Sequence, residues 1–115
     1  MRMICAIIQP TKLGVVREGL RRMGVERLTV CDAQGYGRQR GQAATYRGIE
    51  YRVDLLRKVA IEVVVNDSQV EPALQTIRAT ALTGSEGQIG DGKMFVLPVL
   101  QAIEIADGRR GPDTI

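Results

Sequence analysis

The sequence contains no histidine and no tryptophan, and only two cysteines among its 115 residues. Without histidine, catalytic triads that use an imidazole base and most transition-metal sites are excluded. Cys5 and Cys31 each lie in an apolar run, where cysteine acts as a small hydrophobic residue. We therefore expect neither a disulfide nor a metal site at these positions, and we infer a reducing compartment. With one Phe and three Tyr, the core must be aliphatic.

Long hydrophobic runs are also missing. No stretch approaches the roughly 20 apolar residues that a membrane span needs. The first residues run directly into a strand pattern without the features of a cleavable signal. We expect a cytoplasmic protein with no direct membrane insertion, built as a single domain over residues 1–115. Its net charge of +3 suits nucleotide phosphates as well as nucleic acid.

The hydrophobic pattern predicts the order strand, helix, strand, long loop, strand, helix, strand. Predicted strands cover residues 3–8, 28–33, 59–65 and 94–99, with a short fifth strand at 102–105. Two similar halves of this kind predict an α+β ferredoxin-like βαββαβ sandwich. The second helix carries capping-box spacing at Ser68 and Glu71.

Two segments lack any apolar period. Residues 35–52 are rich in Gly, Arg and Gln and are too long for an ordinary hairpin, so they are predicted to form one long flexible loop. Residues 107–115 are polar and are predicted to be a mobile tail.

Both faces of the central strands are apolar. In the first strand, Ile4, Ala6 and Ile8 oppose Met3, Cys5 and Ile7, and the strand at 59–65 alternates in the same way around Glu62. The chain's own helices cover only one face of such a sheet, so the other face is predicted to meet another subunit. The single charge of Glu62 then needs a polar partner at or near that interface.

The segment 84–93, Gly-Ser-Glu-Gly-Gln-Ile-Gly-Asp-Gly-Lys, lies between a helical pattern and a strand. Glycines allow backbone N–H groups to turn toward one point, and such a concavity suits an anion. Lys93 adds a full positive charge at the exit of the segment. We interpret the segment as a phosphate cradle; a glycine-rich connection without a ligand is the alternative.

Several motifs in order resemble the PII signal-transduction proteins. They are Ala6-Ile7-Ile8, Gly35-Tyr36-Gly37-Arg38-Gln39, Tyr46-Arg47-Gly48-Ile49-Glu50-Tyr51, residues 58–65 and Ile89-Gly90-Asp91-Gly92-Lys93-Met94-Phe95. The resemblance covers the chain to about Gly108. It implies a homotrimer of ferredoxin-like subunits that is a regulator and not an enzyme. Adenine nucleotides (ATP, ADP, with AMP as a further candidate) would bind in the clefts between subunits, and residues 35–52 would be the effector-reading loop.

The resemblance also implies roles for single residues. Ile7 and Val64 would flank the adenine, Glu62 would accept a hydrogen bond from its amino group, and Thr29 would lie near the ribose. The implied contacts of the phosphates are Gly35, Gly37, Arg38, Gly90, Asp91, Gly92 and Lys93. Ile7 and Val64 have core packing as their plain alternative.

A second set of roles concerns effectors and targets. Gln39 resembles the residue that helps to hold Mg²⁺ and 2-oxoglutarate through ATP, and Lys58 resembles the lysine that pairs with a 2-oxoglutarate carboxylate. No cofactor is expected to be bound tightly. Tyr51 resembles a loop tyrosine that some members have uridylylated, and Arg47 resembles the arginine that enters an ammonium channel. For Gln39 and Arg38 the alternative is a solvated loop, and for Lys58 it is an edge charge that discourages aggregation.

The sequence departs from the family pattern around the anion site. Glu104 and Ala106 stand where the family has a pair of arginines that clasp terminal phosphates, and Glu86 adds negative charge to a longer glycine-rich segment. Arg109 and Arg110 are candidate substitutes. We therefore predict that ADP or AMP binds as well as ATP or better, and that the response to 2-oxoglutarate is weak.

The implied targets are an ammonium transporter or the control of glutamine synthetase. A specialised variant that responds to ADP, AMP and bicarbonate in inorganic-carbon (carboxysome) regulation is the alternative. An RNA-binding ferredoxin-like module is a further one, but such modules stack bases on sheet aromatics. All three Tyr lie in the long loop, so we expect no nucleic-acid partner.

Overall fold

The structure, a computed structural model, describes residues 1–36, 43–46, 49–52 and 55–115, with side chains outside residues 36–55. Its helices are α1 (Leu13–Arg22) and α2 (Val70–Ala81). Its strands are β1 (Arg2–Ile8), β2 (Thr29–Tyr36), β3 (Ala43–Tyr46), β4 (Ile49–Arg52), β5 (Leu55–Val65) and β6 (Gly92–Pro98). Short 3₁₀ helices occupy Pro10–Lys12, Asp67–Gln69 and Pro112–Thr114.

Four strands form one sheet in the order β2-β5-β1-β6, and each neighbouring pair is antiparallel. The two helices connect β1 to β2 and β5 to β6, so the core has the element order of a ferredoxin-like βαββαβ sandwich. The fold class predicted from the sequence is therefore confirmed. The strands β3 and β4 pair with each other in a separate two-stranded sheet.

One face of the four-stranded sheet packs on the helices, and we call it the inner face. Ile4, Ala6 and Ile8 of β1 are buried there, and β5 contributes four buried residues, Val59, Ile61, Val63 and Val65. The helices complete this core with Val16, Leu20, Ala73, Ile77 and Ala81. The period-2 alternation of β1 and β5 thus places one apolar set against the helices, as the sequence predicts.

The helices α1 and α2 approach each other closely at Gly19. A Cβ atom at this position would lie 2.8 Å from Thr76 Cγ2 and 3.2 Å from Thr80 Cγ2. Both threonines are fixed, because their hydroxyls donate hydrogen bonds to the backbone oxygens of Pro72 and Thr76. Glycine in the middle of this helix is therefore explained by packing.

We expect Gly19→Ala to destabilise the fold by about 1–2 kcal/mol, since the overpacking penalty exceeds the gain in helix propensity. Gly14→Ala in the same helix is the matched control. Among the described residues, no heavy atom beyond the helix's own backbone and the two chain neighbours lies within 4 Å of a Cβ at that position, so the change should stabilise by about 0.5–1 kcal/mol. Chemical unfolding of both variants measures the difference. Equal effects of the two alanines would contradict the close packing at Gly19.

Several boundaries differ from those predicted. The strand predicted to end at Ala33 continues to Tyr36, and the strand predicted to begin at Val59 begins at Leu55, because these two ends pair with each other. The short fifth strand predicted at 102–105 is wrong: the segment makes one isolated bridge, between Ile103 and Arg110. Asn66 and Gln69, rather than Ser68 and Glu71, form the capping box before α2.

Candidate ligand-binding face

Five of the predicted nucleotide contacts lie on the sheet face opposite the helices, which we call the outer face. Their strand positions place Ile7, Thr29, Glu62, Val64 and Lys93 there, because each alternates with an inner-face neighbour. Thr29 and Glu62 are direct cross-strand partners, and so are Ile7 and Lys93. Residues from four different strands are thus brought to one surface.

Glu62 is the acidic group at the centre of this surface. It lies between Thr29 of β2 and Cys5 of β1, and Phe95 continues the same row on β6. Glu62 is exposed in the single chain, whereas Val64, two residues further along β5, is half-buried. An acceptor in an apolar surface suits a planar ligand that offers an amino group.

The glycine-rich segment follows α2 and precedes β6. Gly84, Gly87, Gly90 and Gly92 all have positive φ, at 67°, 80°, 98° and 119° respectively. Other residues rarely adopt this backbone conformation, so the glycines fix the path of the segment. Gly92 has a second reason to be glycine, because a Cβ there would lie 1.8 Å from the carbonyl oxygen of Ile7.

The carboxylate of Asp91 holds this segment together. One oxygen accepts hydrogen bonds from the Thr83 hydroxyl at 2.5 Å and from Gln9 Nε2 at 3.2 Å. The other accepts from the backbone N–H groups of Thr83, at 3.0 Å, and Gln88, at 2.8 Å. Asp91 was predicted as a phosphate contact, and the structure places its carboxylate within the loop, where it ties α2 and β1 to the start of β6.

The protonation of Asp91 reflects these contacts. Burial raises the pKa of its carboxyl, but the hydrogen bonds from Thr83 and Gln88 and the charge of Lys12 outweigh burial, so the pKa lies below the ordinary value. The ionised form is therefore the one that the folded loop favours. Neither Gln9 nor Thr83 was among the site residues predicted from the sequence, because no local spacing links either residue to Asp91.

Lys58 connects β5 to the same segment. Its ammonium donates a hydrogen bond to the carbonyl oxygen of Gly90. Gly35, on the neighbouring β2, has its Cα close to the stem of this lysine, and a Cβ there would lie 3.7 Å from Lys58 Cγ. Gly35, Lys58 and Gly90 therefore lie together at one end of the outer face.

The structure does not describe the side chains of five further predicted site residues. Gly37, Arg38, Gln39 and Arg47 lie outside the described residues. Tyr51 is in β4, where the structure describes the backbone. Among the described residues there is no cluster of three or more acidic or cysteine side chains that could hold a metal ion.

The segment after β6 folds back on itself. Glu104 N–H donates to Arg109 O at 2.8 Å, and Gly111 N–H donates to Ala102 O at 3.0 Å. Arg109 pairs with Asp107 at 2.7 Å, and Arg110 donates to the amide oxygen of Gln101 at 3.0 Å. The two arginines considered as substitutes for the missing pair are thus both engaged inside their own hairpin.

The outer face with its adjoining glycine-rich segment defines a class of protein. A ferredoxin-like domain presents a mostly apolar outer face that carries Glu62 and Thr29, with Lys93 at the start of β6 and a loop organised by the Asp91 carboxylate. The described part of the site offers recognition groups for a ligand that carries an amino group and an anionic end. The chain is thus of the class of small ferredoxin-like α+β domains.

Comparison with known proteins gives the family. The model of the family "Nitrogen regulatory protein P-II" matches residues 1–109. Relatives named "Nitrogen regulatory protein P-II" are 50% identical in Azospirillum brasilense and 49% in Rhodospirillum rubrum, each over the full length of both chains. "Nitrogen regulatory protein GlnK1" of Methanosarcina mazei is 42% identical over all of this chain and 97% of its own. The chain belongs to the P-II family.

Membership confirms the resemblance inferred from the motifs. The family and its named relatives are regulatory signal-transduction proteins and not enzymes, so the chain is a regulator of this type. Membership of the P-II family also favours a regulator over the RNA-binding alternative. Within the described part of the chain, neither helix has the length and apolarity needed to cross a membrane.

Proposed function

We propose that this protein is a cytoplasmic PII regulator that binds adenine nucleotides on the outer face, in the clefts between the subunits of a homotrimer. One observation carries the proposal. Residues that the family resemblance assigned to the nucleotide come from four separate strands, yet the sheet places them on one surface beside the glycine-rich segment. No local spacing in the sequence requires these residues to meet.

Recognition of the base follows from the chemistry of this surface. The half-buried side chains of Ile7 and Val64 offer an apolar support for a planar ring. Glu62 can accept a hydrogen bond from the exocyclic amino group of adenine, whereas the oxygen at the same position of guanine would be repelled by the carboxylate. Thr29, directly beside Glu62, supplies a hydroxyl on the ribose side.

The trimer is supported by the exposed apolar surface of the same sheet. Phe95 is 47% exposed and Leu97 40% exposed on the outer face of β6, and Met3, Cys5 and Ile7 line the neighbouring strand. A contiguous apolar patch of this kind marks an association surface. A trimer would cover it and would close each cleft with groups from a second subunit.

The phosphates would lie between Lys93 and the glycine-rich segment on one side and Gly35 of β2 on the other. Gly37 and Arg38, from the loop that follows β2, would complete their contacts. The charges assigned to this site are mixed, because Glu86 lies in the glycine-rich segment and Glu104 stands where the family has a phosphate-clasping arginine. Each phosphate added to the nucleotide would gain less here than at a site with additional arginines. We therefore propose that ADP and AMP bind as well as ATP or better.

Mg²⁺ and 2-oxoglutarate are proposed as weaker effectors. Since the described residues offer no cluster of metal ligands, Mg²⁺ would be held by phosphate oxygens with the amide oxygen of Gln39. A carboxylate of 2-oxoglutarate at Lys58 would share the ammonium group with the Gly90 carbonyl, since the ammonium has three N–H donors. The modest response is proposed because 2-oxoglutarate depends on Mg²⁺ held by ATP, which this site is proposed not to prefer.

Residues 35–52 would transmit the bound state to a target. In this proposal Arg47 enters the exit of an ammonium transporter, and Tyr51 is a site of uridylylation or of target contact. The names of the relatives favour nitrogen metabolism, including glutamine synthetase control, over inorganic-carbon regulation with a bicarbonate response.

Calorimetric titration of the purified chain with ATP, ADP and AMP, each with and without Mg²⁺ and 2-oxoglutarate, tests the proposal. We expect ADP and AMP to bind at least as tightly as ATP, with little synergy from 2-oxoglutarate. Tight ATP binding with strong 2-oxoglutarate synergy would contradict the proposed preference. Absence of binding by all three nucleotides would contradict the proposed function itself.

Substitution of Glu62 tests recognition of the base. Loss of a charged acceptor for the amino group should weaken ADP binding by about 10–100-fold in Glu62→Ala, from the 1.5–3 kcal/mol of a charge-assisted hydrogen bond. Glu62→Gln keeps the shape and should relax the preference for ADP over GDP. The control is Glu71→Gln, at an exposed position on α2. If Glu62→Ala binds ADP as the unaltered protein does, the base is recognised elsewhere.

A further inference from the structure

A cavity of about 300 Å³ opens on the outer face beside the proposed adenine contacts. Its lining includes Thr29, Glu62 and Val64, and also Thr114 and Ile115 from the far end of the sequence. The motifs that carry the family resemblance do not include Thr114 or Ile115, and the match to the family model covers residues 1–109. The fold therefore adds two unassigned residues to the surface proposed for the base.

The path of the chain to this cavity is defined by local hydrogen bonds. Gly111 has a φ of 108°, which turns the chain out of the hairpin that precedes it. The Thr114 hydroxyl then donates to the carbonyl oxygen of Gly111 at 2.7 Å, and Thr114 N–H donates to the same oxygen at 3.1 Å. The 3₁₀ turn at Pro112–Thr114 is thereby closed, and it presents Ile115 to the sheet.

Ile115 is half-buried, although its neighbour Asp113 is exposed. It also lines a second cavity of about 290 Å³, next to Val64, Asn66 and Gln69. Ile115 therefore lines both cavities, and it forms one wall of the cavity that is also lined by Glu62. The other apolar walls of that cavity are Met3, Leu28 and Val64.

We propose that the 3₁₀ turn 112–115 is part of the nucleobase pocket, with Ile115 as its apolar wall and a determinant of affinity and residence time for adenine compounds. This inference rests on the proposed function. The occupant is a flat, amino-bearing heteroaromatic ring, because the cavity combines apolar walls with the acceptor Glu62 and the hydroxyls of Thr29 and Thr114. Contact of the ring with Ile115 adds apolar area that is independent of the phosphates.

Methyl NMR of the full-length chain with labelled isoleucine tests the contact directly, with ADP and adenosine as probes. An aromatic ring against Ile115 should shift its methyl signals in both titrations. Ile4, which is fully buried on the inner face of the sheet, serves as the internal reference and should not move. A shift of Ile7 with no shift of Ile115 would place the base away from the turn and overturn this inference alone.

The affinity of Ile115 variants for ADP and for adenosine is the second measurement. Ile115→Ala should lower the affinity for ADP and for adenosine by a similar factor, about tenfold, mainly through faster dissociation. Ile115→Val should retain most of the affinity, and Asp113→Ala, at an exposed position of the same turn, should retain all of it. Equal affinity of the Ile115→Ala variant and the unaltered protein, at unchanged melting temperature, would overturn the inference. If the unaltered protein binds no adenine compound, both the inference and the proposed function fail.

Discussion

Replacement of Gly92 by alanine is expected to destabilise the protein by about 3–5 kcal/mol, the combined effect of overpacking and of a strained backbone. The added Cβ would lie 1.8 Å from the carbonyl oxygen and 2.9 Å from the carbonyl carbon of Ile7. Both atoms belong to the central strand β1, which pairs with β5 on its other side and cannot move away. The residue would also have to adopt a φ of 119°.

The measurement is the midpoint of chemical unfolding, or the yield of folded protein where the variant does not accumulate. Gly84→Ala is the matched control, since Gly84 lies in the same segment with a φ of 67°, and its added Cβ would have no heavy atom of the described residues within 4 Å apart from its chain neighbours. That change should cost about 1 kcal/mol for the backbone conformation alone. A Gly92→Ala protein as stable as the Gly84→Ala protein would show that β6 does not approach β1 as described.

Removal of the Asp91 carboxylate is expected to have the second largest effect. Asp91→Ala leaves the backbone N–H and the hydroxyl of Thr83 without their acceptor, and each of these partly buried groups costs about 1–3 kcal/mol when unsatisfied, whereas the exposed N–H of Gln88 can bond to water. We expect a loss of about 2–4 kcal/mol in stability and disorder of the glycine-rich segment. The affinity for ADP should also fall, because the ordered glycine-rich segment is what positions Gly90 and Lys93.

The conservative variant Asp91→Asn separates shape from charge. The amide side chain of this variant can keep an oxygen toward the two backbone N–H groups, so the loss of stability should be about 1 kcal/mol. The folded-state pKa of Asp91 lies below its ordinary value, so the stability due to ionisation is present above about pH 4 and is lost as the pH falls through the lowered pKa. The difference in stability between the unaltered protein and the variant should therefore shrink below about pH 4. A difference that stays constant into acid would show that ionisation of Asp91 does not stabilise the loop.

Much of the fold follows from local patterns in the sequence. The alternation in β1 and β5 predicts which residues reach the core, because successive side chains of a strand point to opposite faces. The strand ends near Gly35 and Leu55 could not be predicted in this way. Gly35 is a poor strand former, and pairing between β2 and β5 extends strand structure to it and to its neighbours. The strands β3 and β4 were not predicted, because the segment that contains them shows no apolar period.

The candidate site was predictable only in its residue types. The resemblance named Glu62, Thr29 and Lys93, but their common face follows from the register of four strands. The role of Asp91 depends on Gln9, 82 residues away in the sequence, and on Thr83. Ile115 reaches Glu62 through a turn at Gly111 that the sequence pattern assigns to a mobile tail. Contacts between distant residues leave no periodic signal in a single sequence.

Native mass spectrometry of the full chain, recorded with and without ADP, tests the central claim most directly, since it measures subunit number and ligand number together. The account predicts a trimer that takes up as many as three ADP molecules, and a Glu62→Ala trimer that takes up fewer at the same concentration. A monomer, or a trimer whose mass does not change with ADP, would contradict it.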